Sequence, residues 1–174
     1  ISNKINITKL FALEHGIRGD YDAGEDVQNG IDVRSGLPVI SLYGKNKKPK
    51  QKDLSDVDVV IFDIQDIGVR FYTYISSLSY ILNACGEFDK HCLVLDRPSP
   101  MAHIVAGPVL DLSQKSFLGM YPIPVVHGLT VGELAKMIIK EKWVENIPKL
   151  DVIKVSHWKR KDSYKLPIKP SPNL

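Results

Sequence analysis

Residues 57–95 read VDVVIFDIQDIGVRFYTYISSLSYILNACGEFDKHCLVL, and they show the pattern of a strand, a helix and a second strand. The apolar run 57–64 is short and β-branched, which is typical of a strand. Apolar residues within 71–85 then follow helical spacing, and Gly86 is placed to end the helix. A second apolar run at 92–95 completes a βαβ unit. The right-handed crossover rule places its two strands side by side and parallel.

Further apolar runs of strand length lie at residues 10–13, 39–42 and 152–155. Short, continuous runs of this kind are typical of strands that are buried on both faces of a parallel sheet. A second helix is predicted from Thr130 to about Trp143, because Thr130 and Glu133 have the spacing of a capping box. The alternation predicts an α/β fold, with a Rossmann-like domain over residues 1–174 that has a mostly parallel sheet and flanking helices.

The charge is weakly positive, since 23 Lys and Arg residues against 20 Asp and Glu residues give +3. Much of the basic excess lies in two runs, residues 45–52 and 154–165, rather than along one helix face. No aromatic or base-reading motif accompanies them, so we interpret both as solvated loops and expect no nucleic-acid partner. An anionic ligand at the first run stays open as an alternative.

Cys85 and Cys92 lack the paired spacing of a zinc site, and we interpret both as core thiols. No apolar run approaches the roughly 18 to 20 residues of a membrane span, and the first residues do not show the charged-then-apolar pattern that we would expect of a signal peptide. The chain begins just before an apolar run and ends in PSPNL at residues 170–174. We therefore expect a chain cut at both ends from a longer protein.

The residues that follow the predicted strands are unusually polar. In parallel sheets ligands bind outside the carboxyl ends of the strands, so these residues are the first candidates for a site. They are Glu14, His15, Arg18, Asp63, Gln65, Asp66, Arg70, Asp96 and Arg97. They bring carboxylates and arginines from three strands towards one edge.

Glu14 opens a segment, residues 14–37, that has no convincing helical or strand period. Loops longer than about 12 to 15 residues in a compact domain are usually functional or disordered, and the spaced glycines here favour defined turns. Glu14 is flanked by His15 and Arg18, which places it well for a tuned pKa. The alternative is a structural carboxylate paired with Arg18.

Other site types have less support. The sequence contains neither the glycine-rich dinucleotide fingerprint nor a P-loop. Asp63 and Asp66 could hold Mg²⁺, so a magnesium-dependent phosphohydrolase stays open as an alternative. His127 precedes the second helix and is either a ligand-facing or a structural histidine.

Seven blocks in one order resemble the former DUF1343 family, the NamZ-like exo-β-N-acetylmuramidases. The blocks are EHGIRG (14–19), GLPV with SLYG (36–44), FDIQDIGVRFYTY (62–74), LDRP (95–98), GPVLD (107–111), GMYPIP (119–124) and HGLTVGEL (127–134). The resemblance implies a Rossmann-like domain that carries an essential Glu at the position of Glu14. It also implies a smaller C-terminal domain, absent from this chain, and a periplasmic or extracellular location.

The activity implied by the resemblance is release of a terminal N-acetylmuramic acid (MurNAc) from peptidoglycan-derived saccharides, with no cofactor. Glu14 would protonate the leaving oxygen, and Asp66 or Asp63 would supply the second carboxylate. The remaining candidates for substrate contact are His15, Gln65, Asp96 and His127, with Arg18, Arg70 or Arg97 for the lactyl carboxylate of MurNAc and Tyr43 and Tyr72 for the sugar. Ala106 stands where relatives often have a Glu, so an inactive carbohydrate-binding relative is a further alternative.

Overall fold

The computed structural model describes residues 5–167, so the PSPN block at residues 170–173 lies outside the described residues. The strands are β1 (Leu10–Ala12), β2 (Gly30–Ile31), β3 (Pro38–Ser41), β4 (Val59–Phe62), β5 (His91–Leu95), β6 (Ala106–Val109), β7 (Pro124–Val126) and β8 (Leu150–Ile153). The helices are α1 (Gln51–Leu54), α2 (Tyr74–Glu87) and α3 (Val131–Lys140), with one 3₁₀ turn at Leu112–Gln114.

The βαβ unit predicted from residues 57–95 is present. β4 pairs in parallel with β5, with Val60 opposite Cys92 and Phe62 opposite Val94. β8 pairs in parallel with the other edge of β5. The helices α2 and α3 contact each other and both pack against β5. The predicted α/β class, with parallel strands and flanking helices, is therefore confirmed.

The strands are divided over three hydrogen-bonded sheets. β4, β5 and β8 form one sheet, while β1 and β3 pair in parallel in a second sheet and β2 joins β3 antiparallel. β6 and β7 form an antiparallel pair, which the isolated bridge between Val69 and Val126 ties to the segment after β4. β2, β6 and β7 were not predicted. Gly and Pro residues interrupt the apolar stretches that contain β6 and β7, and β2 has only two residues.

In the sheet of β4, β5 and β8, the strands are buried on one face only, so the expectation of burial on both faces was wrong. Burial alternates along β4, where Val60 and Phe62 are buried while Val59 and Ile61 are more than a third exposed. Phe62 belongs to one apolar core together with the buried residues of α2 and α3. The outward positions of β4 also carry β-branched residues, Val59 and Ile61, so the apolar run looks continuous in the sequence.

The helix α2 begins three residues after the first position of the predicted pattern, Phe71, and ends two residues after its last position, Cys85. Phe71 precedes the helix and is exposed, and Gly86 lies inside it. A Cβ on Gly86 would lie 2.3 Å from the Asn146 carbonyl oxygen, so this glycine permits a close backbone approach and is not the stop signal. The expectation that Gly86 ends the helix was wrong.

The start of α3 follows the predicted capping box. The Thr130 hydroxyl accepts a hydrogen bond from the Glu133 amide at 3.2 Å, and the Glu133 carboxylate accepts one from the Thr130 amide at 2.9 Å. The helix ends at Lys140, before the predicted Trp143, because Lys142 has a φ of 54° and cannot continue a right-handed helix. Cys85 and Cys92 are both buried free thiols, as predicted. Within residues 5–167 no helix is both long enough and apolar enough to cross a membrane.

Candidate active site

Glu14 lies two residues after the end of β1 and is surrounded by hydrogen-bond donors. Its Oε1 accepts from the Tyr43 hydroxyl at 2.8 Å and from the Gly24 amide at 3.2 Å. Its Oε2 accepts from the Thr73 hydroxyl. Thr73 directly precedes α2, so one carboxylate connects the segments that follow β1, β3 and β4.

The loop after Glu14 is shaped by backbone conformations that only a few residues adopt. His15 has a φ of 70°, and Gly16 follows at 72°. A Cβ on Gly16 would lie 2.7 Å from the Tyr21 ring, so the loop closes tightly over this glycine. Nδ1 of His15 lies 2.9 Å from the Tyr21 carbonyl oxygen, which can only accept, so Nδ1 carries a proton. The loop is therefore held in a defined shape, as its glycines indicated.

The environment of Glu14 favours the ionised carboxylate. Burial alone would raise the pKa of Glu14, but hydrogen bonds from Thr73, Tyr43 and Gly24 and the nearby His15 imidazole outweigh it and hold the pKa below its usual value. A carboxylate that accepts several hydrogen bonds is stabilised in its charged form. In the unliganded protein Glu14 is therefore ionised at neutral pH and able to accept a proton.

Three tyrosines surround this carboxylate. Burial and the neighbouring Glu14 raise the pKa of Tyr43 to about 12 and, with a contribution from Tyr72, that of Tyr74 also to about 12. The pKa of Tyr72 is raised by burial and then by the charges of Glu14 and Asp66, so its hydroxyl lies within electrostatic reach of both carboxylates. All three phenols stay protonated at neutral pH and can donate hydrogen bonds.

Asp66 occupies a different environment from Glu14, since the residue is only 3% exposed. Burial raises its pKa to about 6, although Oδ2 accepts a hydrogen bond from the Gly68 amide at 2.8 Å. His127 is buried beside it, with Nε2 lying 3.7 Å from Oδ2 of Asp66. Burial lowers the pKa of His127 to about 4. Burial therefore shifts the pKa of each member of the pair in the direction of its neutral form.

Hydrogen bonds to the backbone settle the tautomer of His127. The Leu129 amide donates to Nδ1 at 3.2 Å, so the neutral ring carries its proton on Nε2, which faces Asp66. His127 also donates its backbone amide to the Gly68 carbonyl at 3.1 Å. This histidine thereby fixes the turn after Asp66 against β7, which supports the structural alternative.

The three candidate arginines have different partners. Arg18 donates to both carboxylate oxygens of Asp32, at 2.9 and 2.6 Å, so the alternative that Arg18 pairs with Glu14 was wrong. Arg97 donates two hydrogen bonds to Oδ1 of Asp63, at 2.8 and 2.6 Å. Arg70 donates to the carbonyls of Pro108 and Ile123, and within the described residues it forms no ion pair with a carboxylate.

Asp96 and Gln65 have structural partners. Oδ2 of Asp96 accepts from the Thr130 hydroxyl at 2.9 Å and Oδ1 accepts from the Gly132 amide at 2.8 Å, so the carboxylate lies at the N-terminus of α3. The carboxylate therefore also lies at the positive end of the helix dipole, which attracts negative charge. The amide nitrogen of Gln65 donates to the carbonyls of Asp66 and Pro98.

The structure groups some of the predicted site residues and separates others. Glu14 and Tyr43 are in contact, and Tyr72 lies near both Glu14 and Asp66. Asp63 and Arg97 form an ion pair with each other. Thr73 and Gly24, which donate to Glu14, were not predicted. A hydroxyl at a helix start is the only sequence signal for Thr73, and a backbone amide such as that of Gly24 leaves none.

Comparison with known proteins adds to this geometry. Residues 1–174 match the family described as exo-beta-N-acetylmuramidase NamZ, N-terminal. The chain belongs to this family. A curated relative, the peptidoglycan beta-N-acetylmuramidase NamZ of Bacillus subtilis strain 168, is 48% identical over 175 residues. The match covers 98% of this chain and 42% of that protein, so the chain spans less than half the length of the curated relative.

Two solved structures of DUF1343 family proteins from Bacteroides fragilis NCTC 9343 have the same fold. Both are 42% identical to this chain, with TM-scores of 0.85 and 0.86. The matches cover 93% and 98% of this chain and 41% and 45% of the two relatives. The family predicted from the seven sequence blocks is thereby confirmed.

Proposed function

We propose that this chain is the Rossmann-like catalytic domain of an exo-β-N-acetylmuramidase, a glycoside hydrolase that releases the non-reducing terminal MurNAc from peptidoglycan fragments. The observation that carries the proposal is the hydrogen-bonded Glu14 carboxylate after β1, in a chain that is 48% identical to a peptidoglycan beta-N-acetylmuramidase. The proposal includes a periplasmic or extracellular location, where the peptidoglycan wall lies.

Glu14 is the proposed acid/base residue. Its donors hold it ionised before substrate binds, so it starts as a proton acceptor. A bound sugar would exclude water from the carboxyl group and favour its protonated form, because loss of solvent penalises charge. A proton gained in this way can be transferred to the leaving oxygen, and Glu14 then returns to the stabilised carboxylate.

Of the two candidates for the second carboxylate, Asp63 is the better placed for contact with the sugar. Its side chain is 46% exposed, and it forms an ion pair with Arg97. Asp66 is almost entirely buried and is instead proposed to position the segment that carries Tyr72 and Thr73. The distance between Glu14 and the second carboxylate in a complex would separate a retaining mechanism, at about 5 to 5.5 Å, from an inverting one, at about 6.5 to 9.5 Å.

Arg70 is the proposed partner of the lactyl carboxylate that distinguishes MurNAc from other amino sugars. The charges of Arg18 and Arg97 are already balanced by Asp32 and Asp63. Arg70 contacts uncharged carbonyls and is only partly buried. A planar guanidinium with no carboxylate partner can bind a ligand carboxylate through two hydrogen bonds. Tyr43 and Tyr72 are proposed to line the sugar site.

The rival magnesium-dependent phosphohydrolase has less support from the arrangement of donors. Asp63 is paired with Arg97, while Asp66 is buried against Gly68. Among residues 5–167 there is no group of three or more His, Cys, Asp and Glu side chains that could hold a metal ion. Two carboxylates with separate partners are a poor start for a magnesium site, which prefers clustered oxygen ligands.

The test is product analysis with the intact protein. MurNAc-GlcNAc is incubated with and without EDTA, and the released sugars are separated by chromatography. The proposal expects free MurNAc at the same rate in both reactions. The phosphohydrolase alternative would be supported if the protein released no MurNAc but hydrolysed a phosphate ester, and if EDTA stopped that hydrolysis. Sugar binding without release of MurNAc would identify the inactive carbohydrate-binding relative.

A further inference from the structure

A second charged feature lies apart from the Glu14 site, in a surface cavity of about 380 Å³. It is lined by residues 45–51 together with Glu87 and Phe88. Four of the lining residues are lysines and one is a glutamate, which gives the wall of the cavity a net charge of +3. This cavity contains the first of the two basic runs of the sequence, and the proposed hydrolysis does not use it.

The lysines of the cavity differ in how their charges are balanced. Lys48 forms an ion pair with Glu87, and Lys47 lies 5.1 Å from the centre of the Phe117 ring. Lys45 and Lys50 are exposed, and neither forms an ion pair with a described carboxylate. Two ammonium groups are therefore available at the mouth of the cavity for an anionic ligand.

The backbone that carries these lysines is fixed, so the cavity is not a feature of a loose loop. Pro49 is fully buried between Lys48 and Lys50. The Lys50 amide donates to Oδ2 of Asp53 at 2.9 Å, at the point where α1 begins. The Lys47 ammonium donates to the Gly44 carbonyl at 2.6 Å. A preformed arrangement of charges loses little conformational entropy when a ligand binds.

A chain of aromatic contacts connects the cavity with the Glu14 site. The Tyr43 hydroxyl contacts Glu14, and the Tyr43 ring lies 6.4 Å from the Phe117 ring. Phe117 also lies beside the Lys47 ammonium, which is 5.1 Å from the centre of its ring. Both sites are thus built on the short segment from Tyr43 to Lys50. A long polymeric ligand that reaches Glu14 with its end would pass close to the lysines.

We propose that this cavity binds the anionic groups of the cell-wall polymer, carboxylate or phosphate, while the terminal sugar of the same polymer occupies the Glu14 site. The inference rests on the proposed function for its choice of polymer. A second contact on one polymer makes the binding of the sugar effectively intramolecular, so retention on the polymer exceeds the affinity for a free disaccharide. A small soluble substrate cannot reach both sites and does not depend on the lysines.

The test is co-sedimentation of the intact protein with insoluble cell walls. The variant Lys45→Glu/Lys50→Glu should leave about fivefold more protein unbound than the wild type, since two favourable charge contacts become repulsive. The matched control is Lys136→Glu/Lys149→Glu, which makes the same change of charge at exposed positions outside the cavity. Retention of the wild type should also fall as the salt concentration rises.

Two further measurements make every outcome interpretable. Release of MurNAc from soluble MurNAc-GlcNAc should be equal in the wild type and the Lys45→Glu/Lys50→Glu variant, and absence of release in both would count against the proposed function alone. If the Glu variant melts at a lower temperature, Lys45→Gln/Lys50→Gln replaces it. The proposal would be overturned if Lys45→Glu/Lys50→Glu were retained as well as the wild type. It would also be overturned if Lys136→Glu/Lys149→Glu lost as much retention as Lys45→Glu/Lys50→Glu.

Hydrofluoric acid treatment of the walls distinguishes the two sources of negative charge. The treatment removes phosphodiester-linked polymers and leaves the carboxylates of the peptidoglycan. Lysine-dependent retention that survives the treatment identifies carboxylates as the ligand, and retention that is lost identifies phosphates. If the lysine substitutions do not change how much protein is retained on treated or on untreated walls, an anion site of either kind is contradicted.

Discussion

The Tyr43 hydroxyl donates a hydrogen bond to Oε1 of Glu14 at 2.8 Å, across 29 positions of sequence. This contact stabilises the carboxylate form of Glu14 and helps to lower its pKa. It also ties the loop after β3 to the loop after β1, so it has both an electrostatic and a positioning effect.

Replacing Tyr43 with Phe should raise the pKa of Glu14, because the carboxylate loses one of its donors while the aromatic ring is kept. Because Glu14 must be protonated to donate to the leaving oxygen, the alkaline limb of the pH–rate profile should move to higher pH. Measuring kcat for MurNAc-GlcNAc release between pH 4 and 8 tests this. Tyr80→Phe, in a residue that stacks on Phe117 without contacting Glu14, is the matched control. An unchanged profile in Tyr43→Phe would show that this hydrogen bond is not felt during catalysis.

Replacing Thr130 with Ala should lower the free energy of unfolding by about 0.5 to 2 kcal/mol, because α3 loses its N-cap. The hydroxyl also donates to Asp96, so the Asp96 carboxylate loses a partner at the same time. Chemical denaturation of the intact protein measures the effect. Thr130→Ser keeps the hydroxyl and should remain close to the wild type. Equal stabilities of the Ala and Ser variants would contradict the capping role.

Gly86→Ala should destabilise the protein although it lies within a helix. Alanine would gain about 1 kcal/mol of helix propensity. Its Cβ would meet backbone atoms of Asn146, the nearest at 2.3 Å, and overpacking of this kind costs about 1 to 3 kcal/mol. Gly30→Ala is the control, since a Cβ there meets no atom within 4 Å. A higher melting temperature for Gly86→Ala would mean that α2 and the Asn146 segment are not in close contact.

The buried pair of Asp66 and His127 makes opposing contributions to the pH dependence of stability. The pKa of Asp66 is raised to about 6. Its contribution to the free energy of unfolding is therefore present below its unfolded pKa and is lost as the pH rises through 6. The pKa of His127 is lowered to about 4, so its contribution is present above its unfolded pKa of about 6.5 and is lost as the pH falls through 4. Between pH 4 and 6 the two trends cancel.

Single substitutions should reveal the two slopes. In Asp66→Asn the free energy of unfolding should rise with pH relative to the wild type between pH 4 and 6, by up to about 1.4 kcal/mol per pH unit. In His127→Gln it should fall with pH relative to the wild type. Denaturation curves at pH 4.5, 5.5 and 6.5 measure both differences. The same pH slope in all three proteins would show that neither residue has a perturbed pKa.

The sequence alone predicted the elements whose apolar pattern is strong. The βαβ unit around β4, α2 and β5 and the capping box at Thr130 follow from local periodicity and spacing. The short strands β2, β6 and β7 could not be predicted, because two to four residues carry no period and their pairing depends on distant segments. Gly86 was misread because a glycine near a helix end looks the same whether it ends the helix or admits a neighbouring backbone.

Only part of the candidate site could be predicted from the sequence. Glu14 stands at a strand end, which is a position that sequence reveals. The partner of Arg18 is Asp32 and not Glu14, and only the three-dimensional path of the loop decides between them. Asp63 and Asp66 are three residues apart, yet one is half exposed and the other buried. That difference arises from the turn at Gly68 and its contact with His127, which spacing does not encode.

The central claim is that Glu14 transfers the proton in the release of MurNAc, and Glu14→Gln in the intact protein tests it most directly. The amide keeps the size of the side chain but cannot exchange a proton, so the loss should fall on the chemical step. Single-turnover hydrolysis of MurNAc-GlcNAc, measured beside a thermal melting curve, should show a rate about 10² to 10⁴ times lower at an unchanged melting temperature and sugar affinity. A stable Glu14→Gln protein that releases MurNAc at the wild-type rate would contradict the assignment.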